Sequence, residues 1–161
     1  MPDAEGYIYQ LNRSNGGALK LPVEKARLTP NGLAGDRQAH PSIHGGPERA
    51  LCLYALEQIQ ALHAEGHPIY PGSTGENLTV AGLDWSQLAP GCRLALGDEV
   101  IIELSSYANP CKSIKESFGD GEFRRISQKT HPGTSRFYAR VIQTGRLAVG
   151  QQVRVLPQRR G

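Results

Sequence analysis

Sulfur and large aromatic side chains are scarce here: the chain has three cysteines, one methionine and one tryptophan among 161 residues. So small and odd a set of cysteines argues against a disulfide framework and for a reducing compartment, which makes the cytoplasm the expected location. Long apolar runs are missing too, and none approaches the roughly 18 residues of a membrane span. The opening MPDAEGYIYQ has neither the basic region nor the apolar stretch of a signal peptide. Charge of one sign is also lacking. A dispersed net charge of +3 gives no reason to expect nucleic acid, and only the terminal QRRG is locally basic. Internal repeats, low-complexity tracts and linkers are absent. One domain over residues 1–161 is expected, with the last five or so residues loose.

What the chain does have is punctuation: 19 glycines and 11 prolines. Between them lie short β-prone runs. YIYQLN (7–12) and VEKARLT (23–29) flank the Ser-Asn-Gly-Gly turn signal at 14–17. CRLAL (92–96) and VIIEL (100–104) each alternate apolar residues onto one face and meet at Gly97-Asp98. RFYARVIQ (136–143) and QVRVL (152–156) repeat the pattern. The fold class is therefore mainly β, a closed or nearly closed barrel with a few short helices. Leu56, Ile59 and Leu62 recur at helical spacing in YALEQIQALHAEG, where Gly66 supplies a stop. A second short helix is expected near Pro110 and a third over FRRISQ.

The stretch SSYANPCKSI (105–114) puts Cys111 directly after Asn-Pro and before Lys112. If Asn109 caps and Pro110 opens a helix, Cys111 sits in its first turn. The Ser113–Glu116 spacing allows a later start, which leaves Cys111 just ahead of the helix. Either placement aims backbone N–H groups and the positive dipole end at the sulfur, surroundings that favour a thiolate. A thiolate can ligate a soft metal, carry a persulfide or act as a nucleophile. The competing expectation is a small buried hydrophobe, which suits Cys52 and Cys92 within their apolar stretches.

The segment GLAGDRQAHPSIHGGPERAL (32–51) carries Arg37, His40, His44 and Arg49 among glycines and prolines. Glycines let backbone N–H groups approach an anion, and arginine forks suit phosphate or carboxylate. The glycine spacings match neither a phosphate loop nor a dinucleotide fingerprint. An ordinary solvated loop is one alternative; a zinc site at His40 and His44 is another, disfavoured by Pro41 and the absence of a nearby cysteine pair. Further on, GENLTV (75–80) offers Glu76 and Asn77 at a strand start. In TSRFYARVIQTG (134–145), Arg136, Tyr138 and Arg140 share one face by the two-residue period. Two arginines there are costly to bury unpaired, so exposure on the outer surface is the alternative for one of them.

Taken in order, these four segments closely resemble the MOSC domain, the carboxy-terminal domain of eukaryotic molybdenum cofactor sulfurase, from about Gly6 to Leu156. The resemblance implies a β-barrel of the pyruvate-kinase-barrel kind that binds the molybdenum cofactor, a molybdopterin carrying a phosphate. It implies that Cys111 is the functional sulfur, ligating molybdenum in relatives that reduce N-hydroxylated compounds and holding cofactor or relaying sulfur in the sulfurases. It assigns Gly35, Asp36, Arg37, His44, Gly45, Gly46, Glu76 and Asn77 to the cofactor region, joined by Arg49, Arg136 and Arg140. Larger relatives carry fused aminotransferase-like, barrel or ferredoxin-like parts for which this length leaves no room. A separate flavin or iron–sulfur electron donor, or a cysteine desulfurase, is thus the expected partner, with neither nucleic acid nor membrane. Pyridoxal phosphate is not expected in this chain.

Overall fold

The computed structural model describes residues 5–14, 20–36 and 46–158. Eleven strands are present among them. β1 (Glu5–Arg13), β5 (Leu51–Ala55), β6 (Leu78–Ala81), β7 (Arg93–Leu96), β8 (Val100–Ala108), β9 (Arg136–Gln143) and β11 (Gln152–Val155) run side by side in the order β11-β7-β8-β9-β5-β6-β1. A pairing of β1 with β11, through Gly6 opposite Val153, closes this row into a seven-stranded barrel. β2 (Leu21–Val23) extends the ladder beside the end of β1, while β3 (Lys25–Thr29), β4 (Gly32–Leu33) and β10 (Gly145–Ala148) form a separate small sheet.

The alternation read from the sequence decides which side faces in. Ile8 and Leu11, Leu51 and Leu53, Leu94 and Leu96, Ile102 and Leu104, Phe137 and Ala139, and Val153 are all fully or almost fully buried in the core. Their immediate neighbours along each strand point outwards, and a bulge between Ile8 and Gln10 lets Ile8 and Leu11, three residues apart, both face in. The pattern breaks at β5 and β6, where every residue is buried. These two strands are parallel, joined by the crossover helix α1 (Leu56–Ala64), so helix and loops cover what would otherwise be solvent faces. A continuous apolar run such as LCLYA has no period to betray a strand, and its tail merges into the helical pattern that follows. α1 presents Ile59 and Leu62 to the core, and its chain turns at Gly66, whose φ of 100° is favourable for glycine.

The expected helix after Pro110 is a 3₁₀ turn, Lys112–Ser117, and FRRI (Phe123–Ile126) forms another. Neither Asn109 nor Ser113 caps the first: Cys111 is itself the cap residue, with φ −135° and ψ 171°, so it stands just ahead of the helix, where the later start leaves it. Proline at 110 biases Asn109 towards extended backbone, and the chain stays extended through Cys111 before it turns. No helix among the described residues is long and apolar enough to cross a membrane.

Candidate functional site

Strand register gathers most of the singled-out residues along one arc of the barrel's outer face. Leu78 lies opposite Leu11 of β1 and Leu53 of β5, so the positions beside them, Asn12, Asn77 and Cys52, fall in one row. Cys52 in turn pairs with Tyr138, and Tyr138 with Ser106. A bulge at Ser105, between Leu104 and Ser106, keeps that last pair on the outer face while Leu104 remains inside.

At one end of the row Asn77 acts as a rivet. Its backbone N–H donates to Cys52 O at 2.8 Å and its carbonyl accepts from Asn12 N–H at 2.7 Å. Its side-chain oxygen accepts from Cys52 N–H at 3.0 Å, and its amide donates to Asp36 Oδ2, also at 3.0 Å. Asp36 also accepts from the Ser14 N–H and pairs with Lys20 Nζ, each at 2.8 Å. Both ionic side chains are nearly inaccessible, 8% exposed for Lys20 and 5% for Asp36. Glu76 is fully buried, its carboxylate accepting from Gly72 N–H, Thr74 Oγ1 and Thr79 Oγ1 at 2.7–2.9 Å. Gly35, exposed and with φ 85°, lies just before Asp36.

Arg136 joins two motif segments. Its guanidinium donates to Thr74 O at 2.6 Å, two residues before Glu76, and to Asn109 O at 3.4 Å, two residues before Cys111. The residue is 6% exposed, its Nε is buried with no hydrogen-bond partner, and no carboxylate among the described residues pairs with it. This is a positive charge held in a dry place and left partly unsatisfied, an arrangement suited to an anion. Burial pushes the Cys52 thiol up to about 11, although the Arg136 charge opposes the shift.

The other end of the row is held by the 3₁₀ turn Pro47–Arg49, which follows Gly46 at φ 96°. Arg49 lies over the Tyr138 ring, 5.2 Å from its centroid. Glu48 accepts from Arg140 Nη1 at 3.1 Å, and its carbonyl accepts from Ser105 Oγ. Arg140 also reaches Glu103, which Arg93 contacts at 2.9 Å. Arg140 thus spends its charge on two carboxylates, whereas Arg136 has none; the two arginines on this strand face play different structural parts. Burial raises the Tyr138 hydroxyl, with nearby Cys52 adding to the shift and the Arg136 and Arg49 charges opposing it, so these groups share one electrostatic neighbourhood.

Cys111 is half-buried, with Sγ 2.8 Å from Ser113 Oγ. Cys52 and Cys92 are buried, as expected from their apolar settings. Iodoacetamide at pH 8 is therefore expected to label native protein on Cys111 alone, since Cys52 is inaccessible and held protonated by a pKa of about 11. Peptide mass mapping checks this; labelling of Cys52 before unfolding would contradict it. Arg37, His40, His44 and Gly45 lie outside the described residues. Among the described residues, no group of three or more His, Cys, Asp or Glu could hold a metal ion. Sequence reasoning missed Lys20, Asn12 and Thr74, which fix Asp36, Asn77 and Arg136. Nothing in their local sequence marks them, because each matters only through a partner distant along the chain.

The MOSC domain profile matches residues 40–154. The uncharacterized protein YflK of Bacillus subtilis is 34% identical over 142 residues, covering 87% of this chain and 63% of that protein. Protein YiiM of Escherichia coli is 32% identical over 116 residues, covering 69% and 51%. A protein of Gibberella moniliformis described as a reductase is 31% identical over 130 residues, covering 78% of this chain and 22% of its own length. The chain thus spans about half to two thirds of the first two relatives and a smaller part of the third. Among solved structures, a hypothetical protein superposes with a TM-score of 0.76 at 27% identity, covering 95% of this chain and 69% of that one. YiiM of Geobacillus stearothermophilus does so at 0.73 and 21% identity, covering 94% and 75%. With its closed barrel, its motif order and a profile match over most of its length, the chain belongs to the MOSC domain family.

Proposed function

We propose that this protein binds the molybdenum cofactor through Cys111 and the Arg136 region, and reduces N-hydroxylated compounds with electrons from a separate flavin or iron–sulfur protein. The observation that carries the reading is the bridge from Arg136 to Asn109: it ties a partly unsatisfied buried cation to the loop presenting a half-buried thiol. Thiol sulfur is a ligand for soft transition metals, and a guanidinium without a carboxylate partner suits an anionic phosphate or pterin oxygen. The donor set therefore fits the group that the family implies. The description of the Gibberella relative as a reductase supports the direction of the chemistry.

When bound, the cofactor supplies a metal centre that exchanges two electrons. The chain's own work is placement. Cys111 would hold the metal, and with the thiolate ligated the Ser113 hydroxyl, 2.8 Å from Sγ, would donate to it and temper its donor strength. Arg136, anchored to Thr74 and Asn109, would hold the anionic part, with Arg49 and Tyr138, stacked on each other, beside it. Glu76 and Asn77 set the position of these elements through their hydrogen bonds to the protein. The overall reaction balances as R–NHOH plus two electrons and two protons giving R–NH₂ and water.

Protein purified from a molybdenum-replete host is expected to contain molybdenum and pterin in near-equal amounts and to reduce an N-hydroxylated purine with an artificial electron donor. Absence of both metal and pterin would overturn the reading. Cyanide-labile sulfur on Cys111 without metal would instead identify a sulfur carrier served by a cysteine desulfurase.

A further inference from the structure

We propose that a second site, distinct from the Cys111 face, binds a neutral, flat, fused-ring heteroaromatic molecule. A cavity of about 300 Å³ opens between Trp85, Leu88, Tyr107, Gln128, Ser135 and Phe137, at the low end of the size range of small-molecule sites. Phe137 and Tyr107 are cross-strand partners whose rings tilt against each other with centroids 4.9 Å apart. Phe137 also meets the Trp85 ring edge-on at 5.2 Å. Phe137 belongs to the inner side of the barrel wall, and its cross-strand partner Tyr107 shares that side. Arg136, Tyr138 and Ser106 alternate with them on the outer side, where the Cys111 neighbourhood lies.

Three features define the ligand. None of the residues lining the cavity carries a charge, so an ion would lose its hydration without a partner. The aromatic walls are rigid, because Trp85 is fixed by its indole N–H donating to Ser135 O at 2.8 Å. They favour a planar ring that can pack against them edge-on or offset. The third feature is an excess of donors. Gln128 Oε1 accepts from Gly133 N–H at 3.1 Å, which leaves its amide N–H groups without a protein partner among the described residues. The Tyr107 hydroxyl likewise makes no hydrogen bond among them. Both would pair with the ring nitrogens of a heteroaromatic acceptor.

Trp85 is the chain's sole tryptophan, so its indole N–H signal in a nitrogen–proton correlation spectrum reports on this cavity alone. Titration with quinoxaline is expected to shift that signal saturably. Quinoxaline-2-carboxylate, the same ring with a charge, is expected to bind at least about tenfold more weakly. Tyr107→Phe, which keeps the ring and removes the hydroxyl, should weaken quinoxaline several-fold. Ser86→Phe, which places a ring at the cavity wall, should abolish the shift; its fold is checked by circular dichroism, and Tyr107→Phe carries the test should it not fold. Cys111→Ser should leave the titration unchanged, which separates this site from the proposed cofactor site. No saturable shift with quinoxaline, equal binding of the carboxylate, or no weakening in Tyr107→Phe would each overturn the proposal.

Discussion

Cys111→Ser is expected to empty the protein of molybdenum and to abolish reduction of N-hydroxylated substrate, while its melting temperature stays within about two degrees of the parent. A serine hydroxyl remains protonated at neutral pH and is a poor ligand for a soft metal, so metal content should fall by more than about tenfold. Stability should barely change, because the side chain is only half-buried and its hydrogen-bond partner is the nearby Ser113 hydroxyl. Substitutions in such positions usually stay within about 0.5 kcal/mol. Ser113→Ala provides the informative control. It keeps the sulfur and removes a hydrogen bond to it, so metal should be retained while the visible spectrum or reduction potential shifts. Full metal content and full turnover in Cys111→Ser would sink the proposed role of the thiol.

The second large effect is on folding. Asp36→Ala removes the counter-ion of Lys20, leaves a nearly inaccessible ammonium uncompensated, and deprives Ser14 N–H and the Asn77 amide of their acceptor. Breaking a buried pair from one side costs about 3–5 kcal/mol, which for a domain of this size lowers the melting temperature by roughly 10 °C. The double variant Lys20→Met with Asp36→Leu should recover much of the loss, since two apolar groups replace two charges that had to be desolvated. Thermal melting of the single and double variants decides the matter. A drop of less than about 2 °C in Asp36→Ala would mean that the pair contributes little. Asp36 is one of the residues the family resemblance assigns to the cofactor region. Its demonstrable work here is to fasten the chain just before residue 37 to Asn77 and Lys20.

Strands with one face in water were legible because alternation records the difference between the two faces. RFYARVIQ (136–143) appears with its sequence-derived limits, and CRLAL, VIIEL and QVRVL shift by a few residues at most. β5 lacked any such record, being buried on both sides, and β10 is a short strand outside the main barrel. The two arginines of β9 looked equivalent by spacing. Three-dimensional packing separated them, placing Arg136 beneath the carbonyls of Thr74 and Asn109 and Arg140 between Glu48 and Glu103.

By itself, the order of residues determined the barrel class, the family and the unusual setting of Cys111. These depend on periodicity and on motifs contained within short stretches of chain. Tertiary structure alone decided which charges are compensated and which backbone groups the motif side chains hold. Both depend on groups brought together from distant positions: Lys20 with Asp36, Arg136 with Thr74 and Asn109, and Asn77 with Cys52. Interaction energies depend on distance through space and on the surrounding dielectric, so separation along the chain carries almost no trace of them.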